Sequence, residues 1–198
     1  REGFHVTLNG KNYSLENDTL LGDHQKLNMG MCLTLLSIIF PDCVDDFVEK
    51  SQNYRPPGMN RGEVVTLGES SFYMDAYNAN PNSMDASLKS YVAYLHKKNK
   101  SPETATFILG DMNELGEKSA ELHKKTGKSL SELGAKKAIF VGRFAKNYAE
   151  GFCGESECFA NVAELKNYLI KLESLPKEAF VKGSRSLQLE SILDITVR

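Results

Sequence analysis

Tryptophan is absent from the 198 residues, and so is any long apolar run. The most apolar stretch, Met31 to Phe40, is broken by Thr34 and Ser37 and is too short to span a bilayer. Neither sign of charge dominates. Lys and Arg number 24 against 26 Asp and Glu, for a net charge of −2, which argues against a basic face for a nucleic acid. Cysteine is scarce: Cys32, Cys43, Cys153 and Cys158 have neither metal-ligand spacing nor the look of a disulfide framework. They are expected to be reduced thiols. No charged-then-apolar leader opens these residues, so a cytoplasmic location is expected. Two phosphate-binding signatures are also missing. There is no Gly-x-x-x-x-Gly-Lys-Ser/Thr loop, and no Gly-x-Gly-x-x-Gly fingerprint to support a dinucleotide module.

What is present divides at a polar stretch. Before it, Phe4–Leu8 and Tyr13–Leu15 alternate around Asn9-Gly10, a strong hairpin signal. A further strand is expected over Thr19–Gly22, then an apolar helix from Asp23 to about Phe40, closed by Pro41, and a short helix over Val44–Gln52. Met29, Met31, Leu33, Leu35, Leu36 and Ile39 cover most of the long helix's circumference, so it expects neighbours on several sides. Asn53 to Gly62, with Pro56-Pro57 and two glycines, reads as a hinge.

From Glu63 strands and helices alternate. Strands are expected at Val64–Leu67, Ser71–Asp75, Thr104–Leu109, Ala138–Val141, Cys158–Ala160 and Ala179–Val181. Helices are expected at Ser83–Lys98 and Lys118–Leu133, with a third capped by Asn161 and Glu164 and a terminal helix or turn at Leu187–Asp194. An extended piece, Ile195–Val197, closes the chain. The fold class is therefore α/β: a Rossmann-like, mostly parallel sheet flanked by helices.

Three loops leave carboxyl ends of strands, the edge where such sheets bind ligands. The first, Asp75-Ala-Tyr-Asn-Ala-Asn-Pro-Asn82, offers Asp75 as an acceptor for a sugar hydroxyl, and its Asn side chains as donor and acceptor for a heterocycle edge. A turn with an Asn/Ser helix cap explains Asn82 and Ser83 as well. The second, Gly110-Asp-Met-Asn-Glu114, sets two carboxylates three apart without a His or Cys beside them in sequence, which suits a helix start better than a metal cage. In the third, Lys182 and Arg185 bracket Gly183-Ser184, a pairing that suits a carboxylate or a developing phosphate charge, or simply a solvated turn.

Asp75-Ala-Tyr-Asn-Ala-Asn-Pro-Asn-Ser-Met84, Leu109-Gly-Asp-Met-Asn-Glu-Leu-Gly116 and Lys182-Gly-Ser-Arg185, in this order, resemble the Mur ligases of peptidoglycan synthesis. Within them they are most similar to the branch that adds D-Ala-D-Ala to UDP-MurNAc-tripeptide. The resemblance implies an ATP- and Mg²⁺-dependent amide ligase acting through an acyl phosphate, monomeric at full length. It implies nucleotide contacts at Asn28, Arg61, Asp75, Asn78 and Asn80, with Tyr77 either beside the base or in the core. It implies substrate contacts at Asp111, Lys182, Ser184 and Arg185. Two departures stand out. Gln25 replaces an Asn of the family's His-Asn-x-x-Asn helix start (His24 to Asn28 here), and Gly58 lies three residues before Arg61 where the family has Gly directly before that Arg.

The resemblance also implies an organisation. Residues 1–53 would be the truncated end of a central ATPase domain, 54–62 the hinge and 63–198 the C-terminal domain. The phosphate loop and the metal ligands would lie outside these residues, and the chain alone is expected to lack ligase turnover. Two alternatives are another Mur or folylpolyglutamate-type ligase with a different acceptor, and a non-catalytic Rossmann-like binding module.

Overall fold

The computed structural model describes residues 3–17, 19–20, 23–55 and 62–195. The chain divides into two compact units, Arg1–Pro57 and Gly58–Arg198.

In the first unit, β1 (Phe4–Leu8) and β2 (Lys11–Leu15) pair antiparallel. Asn9 and Gly10 both take positive φ, 50° and 79°, which matches the twist of a two-residue hairpin. The expected strand at Thr19–Gly22 is not formed where the structure describes it. The Asn17 side chain accepts from both the Thr19 N–H (2.9 Å) and the Thr19 hydroxyl (2.6 Å), curling the backbone into a turn. Helices α1 (Asp23–Ile39) and α2 (Val44–Gln52) follow, joined by a 3₁₀ turn at Pro41–Cys43. Leu8, Leu15, Leu33, Val44 and Val48 form a small core. The rest of α1's apolar surface stays open, with Leu27, Met31, Leu35 and Ile38 all more than half exposed.

The second unit holds a six-stranded sheet in the order β3-β4-β8-β5-β6-β7. Its strands are β3 (Glu63–Leu67), β4 (Ser70–Asp75), β5 (Thr106–Gly110), β6 (Lys137–Val141), β7 (Glu155–Phe159) and β8 (Glu178–Lys182). The β3–β4 pair is antiparallel and every other pairing is parallel. Helices α3 (Pro81–Lys97), α4 (Ser119–Glu132), α5 (Ala145–Gly151) and α6 (Val162–Lys171) cover the two faces. The twofold alternation of a strand sorts the side chains. Phe72, Met74, Ile108, Ala179 and Val181 point to the α6 face and pack on Leu165 and Leu169. Tyr73, Phe107 and Phe180 point the other way and meet Tyr91 of α3, with ring centroids 5.2–5.6 Å apart for Tyr91–Phe180, Tyr91–Phe107 and Tyr73–Tyr91.

That aromatic layer buries the hydroxyls of Tyr73 and Tyr91 without a hydrogen-bond partner among the described residues. Burial pushes both phenols up, so they remain neutral. An unpartnered buried hydroxyl is a liability. Tyr91→Phe is expected to be neutral or to stabilise the unit by up to about 1 kcal/mol in urea unfolding.

Differences from the expected elements have local causes. Helix α3 begins at Pro81, two residues before Ser83. The cap is Asn80, whose side chain accepts from the Ser83 N–H (2.9 Å) while the Ser83 hydroxyl receives the Asn80 N–H (3.1 Å). The seven-residue α5 is too short to show a helical period. Strand β7 lies at Glu155–Phe159 instead of Cys158–Ala160; it is a polar edge strand and shows no apolar run. Helices α4 and α5 approach through Gly127 and Gly151, where a Cβ would lie 2.1 and 2.0 Å from the Tyr148 and Lys124 carbonyl oxygens. Leu187–Asp194 forms 3₁₀ turns, and residues 196–197 of the expected closing strand lie outside the described residues.

Candidate functional site

Strand order brings the three loops together. Strand β8 lies between β4 and β5, so the loops after Asp75, Gly110 and Lys182 leave adjacent strands at one edge. Asp75 stands opposite Lys182 in register, and their side chains meet 2.6 Å apart. The Lys182 ammonium also donates to the Asn78 carbonyl (2.9 Å), and Ser87 of α3 donates to the same Asp75 oxygen (2.6 Å). Lys182 is 2% exposed. It does not present an open cation to a ligand, as the sequence suggested; it neutralises Asp75 and anchors the first loop. Among the described residues the second oxygen of Asp75 accepts no hydrogen bond, so it can take one from a sugar hydroxyl.

The Asn residues of that loop divide their roles. Asn78 turns its side-chain oxygen to the Ala79 N–H (2.8 Å), and Asn80 is committed to capping α3. Tyr77 is 41% exposed, so it is not a core tyrosine. Asn28 lies exposed on α1 of the first unit. Arg61 and the His24 side chain lie outside the described residues.

The second loop is held at every step. Tyr148 of α5 donates to the Gly110 carbonyl (2.9 Å), and the Ser184 N–H donates to the Asp111 carbonyl (2.9 Å). The Met112 N–H donates to His123 of α4 (2.9 Å), and the Asn113 N–H donates to the buried Ser184 hydroxyl (2.9 Å). The Asp111 carboxylate, nearly buried, accepts from the Arg143 N–H (2.8 Å) and the Phe144 N–H (3.0 Å). It therefore fastens a fourth loop, Gly142-Arg143-Phe144, that sequence reasoning missed. The available signal was Gly142, directly after the expected strand Ala138–Val141, as Gly110 directly follows the expected strand Thr104–Leu109. The φ of Gly142 is +117°, and a Cβ there would sit 2.3–2.6 Å from the Asp111 carboxylate. Arg185 is half exposed and ion-paired with Glu190, and Arg143 is exposed with its guanidinium over the Phe144 ring (5.4 Å). Among the described residues of the four loops, these two arginines are the accessible cations.

His123 is the other residue the sequence did not flag. It is fully buried, stacked on Phe144 (4.6 Å) and edge-on to Tyr148 (4.8 Å). Burial lowers its pKa, against the opposing effects of the Ser119 carbonyl and Asp111. Among the described residues no group of three His, Cys, Asp or Glu side chains could hold a metal ion, so no step through Mg²⁺ is assigned to them. The second Asp75 oxygen has the acceptor chemistry that a nucleotide's sugar hydroxyl needs.

A doubly covered, mostly parallel sheet with four loops gathered at one carboxyl edge defines an α/β domain, and its family is established. Residues 60–185 match the model for "Mur ligase, glutamate ligase domain", and the chain belongs to that family. The UDP-N-acetylmuramoyl-tripeptide–D-alanyl-D-alanine ligase of Rickettsia prowazekii is 32% identical over 136 residues, which is 68% of this chain and 29% of that protein. The ligase of the same name from Bacillus subtilis is 28% identical over 97% of this chain and 42% of its own length. A crystal structure of MurF from Acinetobacter baumannii superposes with a TM-score of 0.74 at 25% identity, over 93% of this chain and 39% of that one. The chain thus spans less than half the length of these relatives.

Proposed function

We propose that this chain supplies the adenosine-facing and acceptor-facing wall of an ATP-dependent amide ligase. The enzyme joins D-Ala-D-Ala to UDP-MurNAc-tripeptide through an acyl phosphate, in the cytoplasm, as a step of peptidoglycan synthesis. The observation that carries this reading is the convergence of the Asp75, Asp111 and Lys182 loops at one sheet edge, in a domain of the Mur ligase family. Relatives bearing the D-alanyl-D-alanine ligase name support the acceptor.

ATP supplies the phosphoryl group that activates the carboxylate. This chain's residues bind and orient. Asp75, held by Lys182 and Ser87, accepts from the ribose hydroxyl, with Tyr77 and Asn78 beside the base. Asn80 supports this loop by starting α3. Arg185 and Arg143 take the dipeptide's carboxylate, a charge-assisted contact that suits a planar guanidinium. Asp111 and Ser184 hold the acceptor loop in shape. The attacking amine must be neutral, and a site shielded from water favours that form. Asn28 and Arg61 complete the nucleotide contacts in this reading. The phosphate-binding loop and metal ligands belong to further sequence, and residues 54–62 act as the hinge that brings the parts together.

The acceptor is tested by competition. D-Ala-D-Ala is expected to shift the amide resonances of Asn113, Ser184 and Arg185, while diaminopimelate and glutamate leave them in place. An equal response to glutamate would instead assign the chain to a ligase of folylpolyglutamate type.

A further inference from the structure

His123 lies off the ligand edge, yet the acceptor-facing loops close around it. The Met112 N–H can only donate and the Ser119 carbonyl can only accept, so the ring must carry its proton on Nδ1, toward Ser119 (2.5 Å), and keep Nε2 bare toward Met112 (2.9 Å). The nearer Asp111 oxygen lies 4.0 Å from Nε2. A bare nitrogen offers that carboxylate no hydrogen bond, so both its oxygens go to the Arg143 and Phe144 N–H groups. From these contacts we infer that His123 is a positioning residue: its neutral, Nδ1-protonated ring sets the 110–113 loop and, through Asp111, the 142–144 loop that presents Arg143. The inference deepens the proposed function and rests on it for the identity of the bound dipeptide.

A proton on Nε2 would undo the arrangement. The imidazolium has no lone pair for the Met112 N–H, and its new N–H would draw Asp111 away from Arg143 and Phe144. The titratable groups facing the ring are Asp111 from the loop after β5 and Tyr148 from α5; Arg143 lies across the Phe144 ring. Tyr148 stays neutral because burial raises its phenol well above the ordinary value. Burial opposes the imidazolium and outweighs the Ser119 carbonyl and Asp111, which favour it. With a folded pKa below the unfolded one, stability from the neutral ring is full above the ordinary histidine range of about 6.5 and is lost as pH falls through the lower folded value.

The test uses the 198-residue chain and two substitutions. His123→Phe keeps a ring but has no acceptor; His123→Gln places an untitratable oxygen near the Nε2 position. The ring nitrogen resonances of the unmodified chain are expected to report the Nδ1–H tautomer at neutral pH. His123→Phe is expected to speed amide hydrogen exchange at Met112, Arg143 and Phe144 by ~10-fold or more, and His123→Gln to restore protection at Met112. Dipeptide binding to the unmodified chain is expected to weaken as pH falls through the lowered pKa of the folded ring, beneath the ordinary histidine range, and in His123→Gln to lose that dependence. A ring protonated on Nε2 at neutral pH would overturn the inference. So would unchanged protection at Arg143 and Phe144 in a folded His123→Phe protein. Should His123→Phe fail to fold, the tautomer and the pH response of His123→Gln decide. Absence of dipeptide binding to the unmodified chain at every pH would refute the substrate reading and leave the exchange result to judge His123.

Discussion

Asp75→Ala is expected to destabilise the second unit by about 3–5 kcal/mol, the usual cost of stripping one partner from a buried ion pair. Lys182 has no alternative acceptor of comparable strength. Its side chain is 3% exposed, and its remaining described contacts are carbonyls, at 2.9 Å to Asn78 and 3.5 Å to Asp75. A stranded ammonium must either stay unpaired in a low-dielectric site or give up its proton. The double substitution Asp75→Ala, Lys182→Met removes both charges and is expected to recover most of the loss, because a buried pair is worth little against a well-packed apolar replacement. Urea unfolding of the four proteins in the cycle measures this coupling. Nucleotide binding should stay impaired in the double variant, since the proposed acceptor for the ribose is gone even where stability returns. That divergence separates the structural role of the pair from its role at the site.

Gly142→Ala is expected to be the most damaging methyl addition at the site, costing about 3 kcal/mol. The sum combines overpacking and a forced positive φ, each on the order of 1–3 kcal/mol. The new Cβ would be pressed against the Asp111 carboxylate, itself nearly buried. The side chain can escape only by releasing the Arg143 and Phe144 N–H groups. The variant should therefore lose amide protection at those two residues before it loses global stability, which hydrogen exchange resolves residue by residue.

Much of this was legible in the chain, and the gaps have identifiable physical causes. The hairpin at Asn9-Gly10, the buried strands and the three strand-to-loop junctions depend on short-range patterns, and short-range patterns survive in a sequence. The Asn80 cap did not, because Asn80, Asn82 and Ser83 all suit the start of α3, and Pro81 settles it only once the backbone is seen. Lys182 was misjudged for a different reason. Its partner Asp75 lies 107 residues away. Only the insertion of β8 between β4 and β5 reveals that the cation is already taken. Tyr77 could stand beside the base or in the core on sequence alone, and its place in a loop beyond a strand end leaves it exposed. His123 sits on a helix whose sequence gives no sign that the ring faces the loop after β5. Its contacts to Met112, Phe144 and Tyr148 are all made across elements distant in sequence.

The exposed face of α1 fits the same picture. A helix with apolar residues around most of its circumference is satisfied on one side by Leu33's neighbours and left open at Leu27, Met31, Leu35 and Ile38. Soluble proteins seldom leave such a patch uncovered. No helix among the described residues is long and apolar enough to cross a membrane.

The most direct test of the central claim is an amide NMR titration of this chain, with Mg-ATP and with D-Ala-D-Ala in separate series. A shared ligand edge predicts shifts over Asp75–Asn80 with the nucleotide and at Asn113, Arg143, Ser184 and Arg185 with the dipeptide, at weak affinity. Shifts confined to the opposite edge of the sheet, around Lys100, Lys137 and Glu178, or no response to either ligand at millimolar concentration, would contradict it.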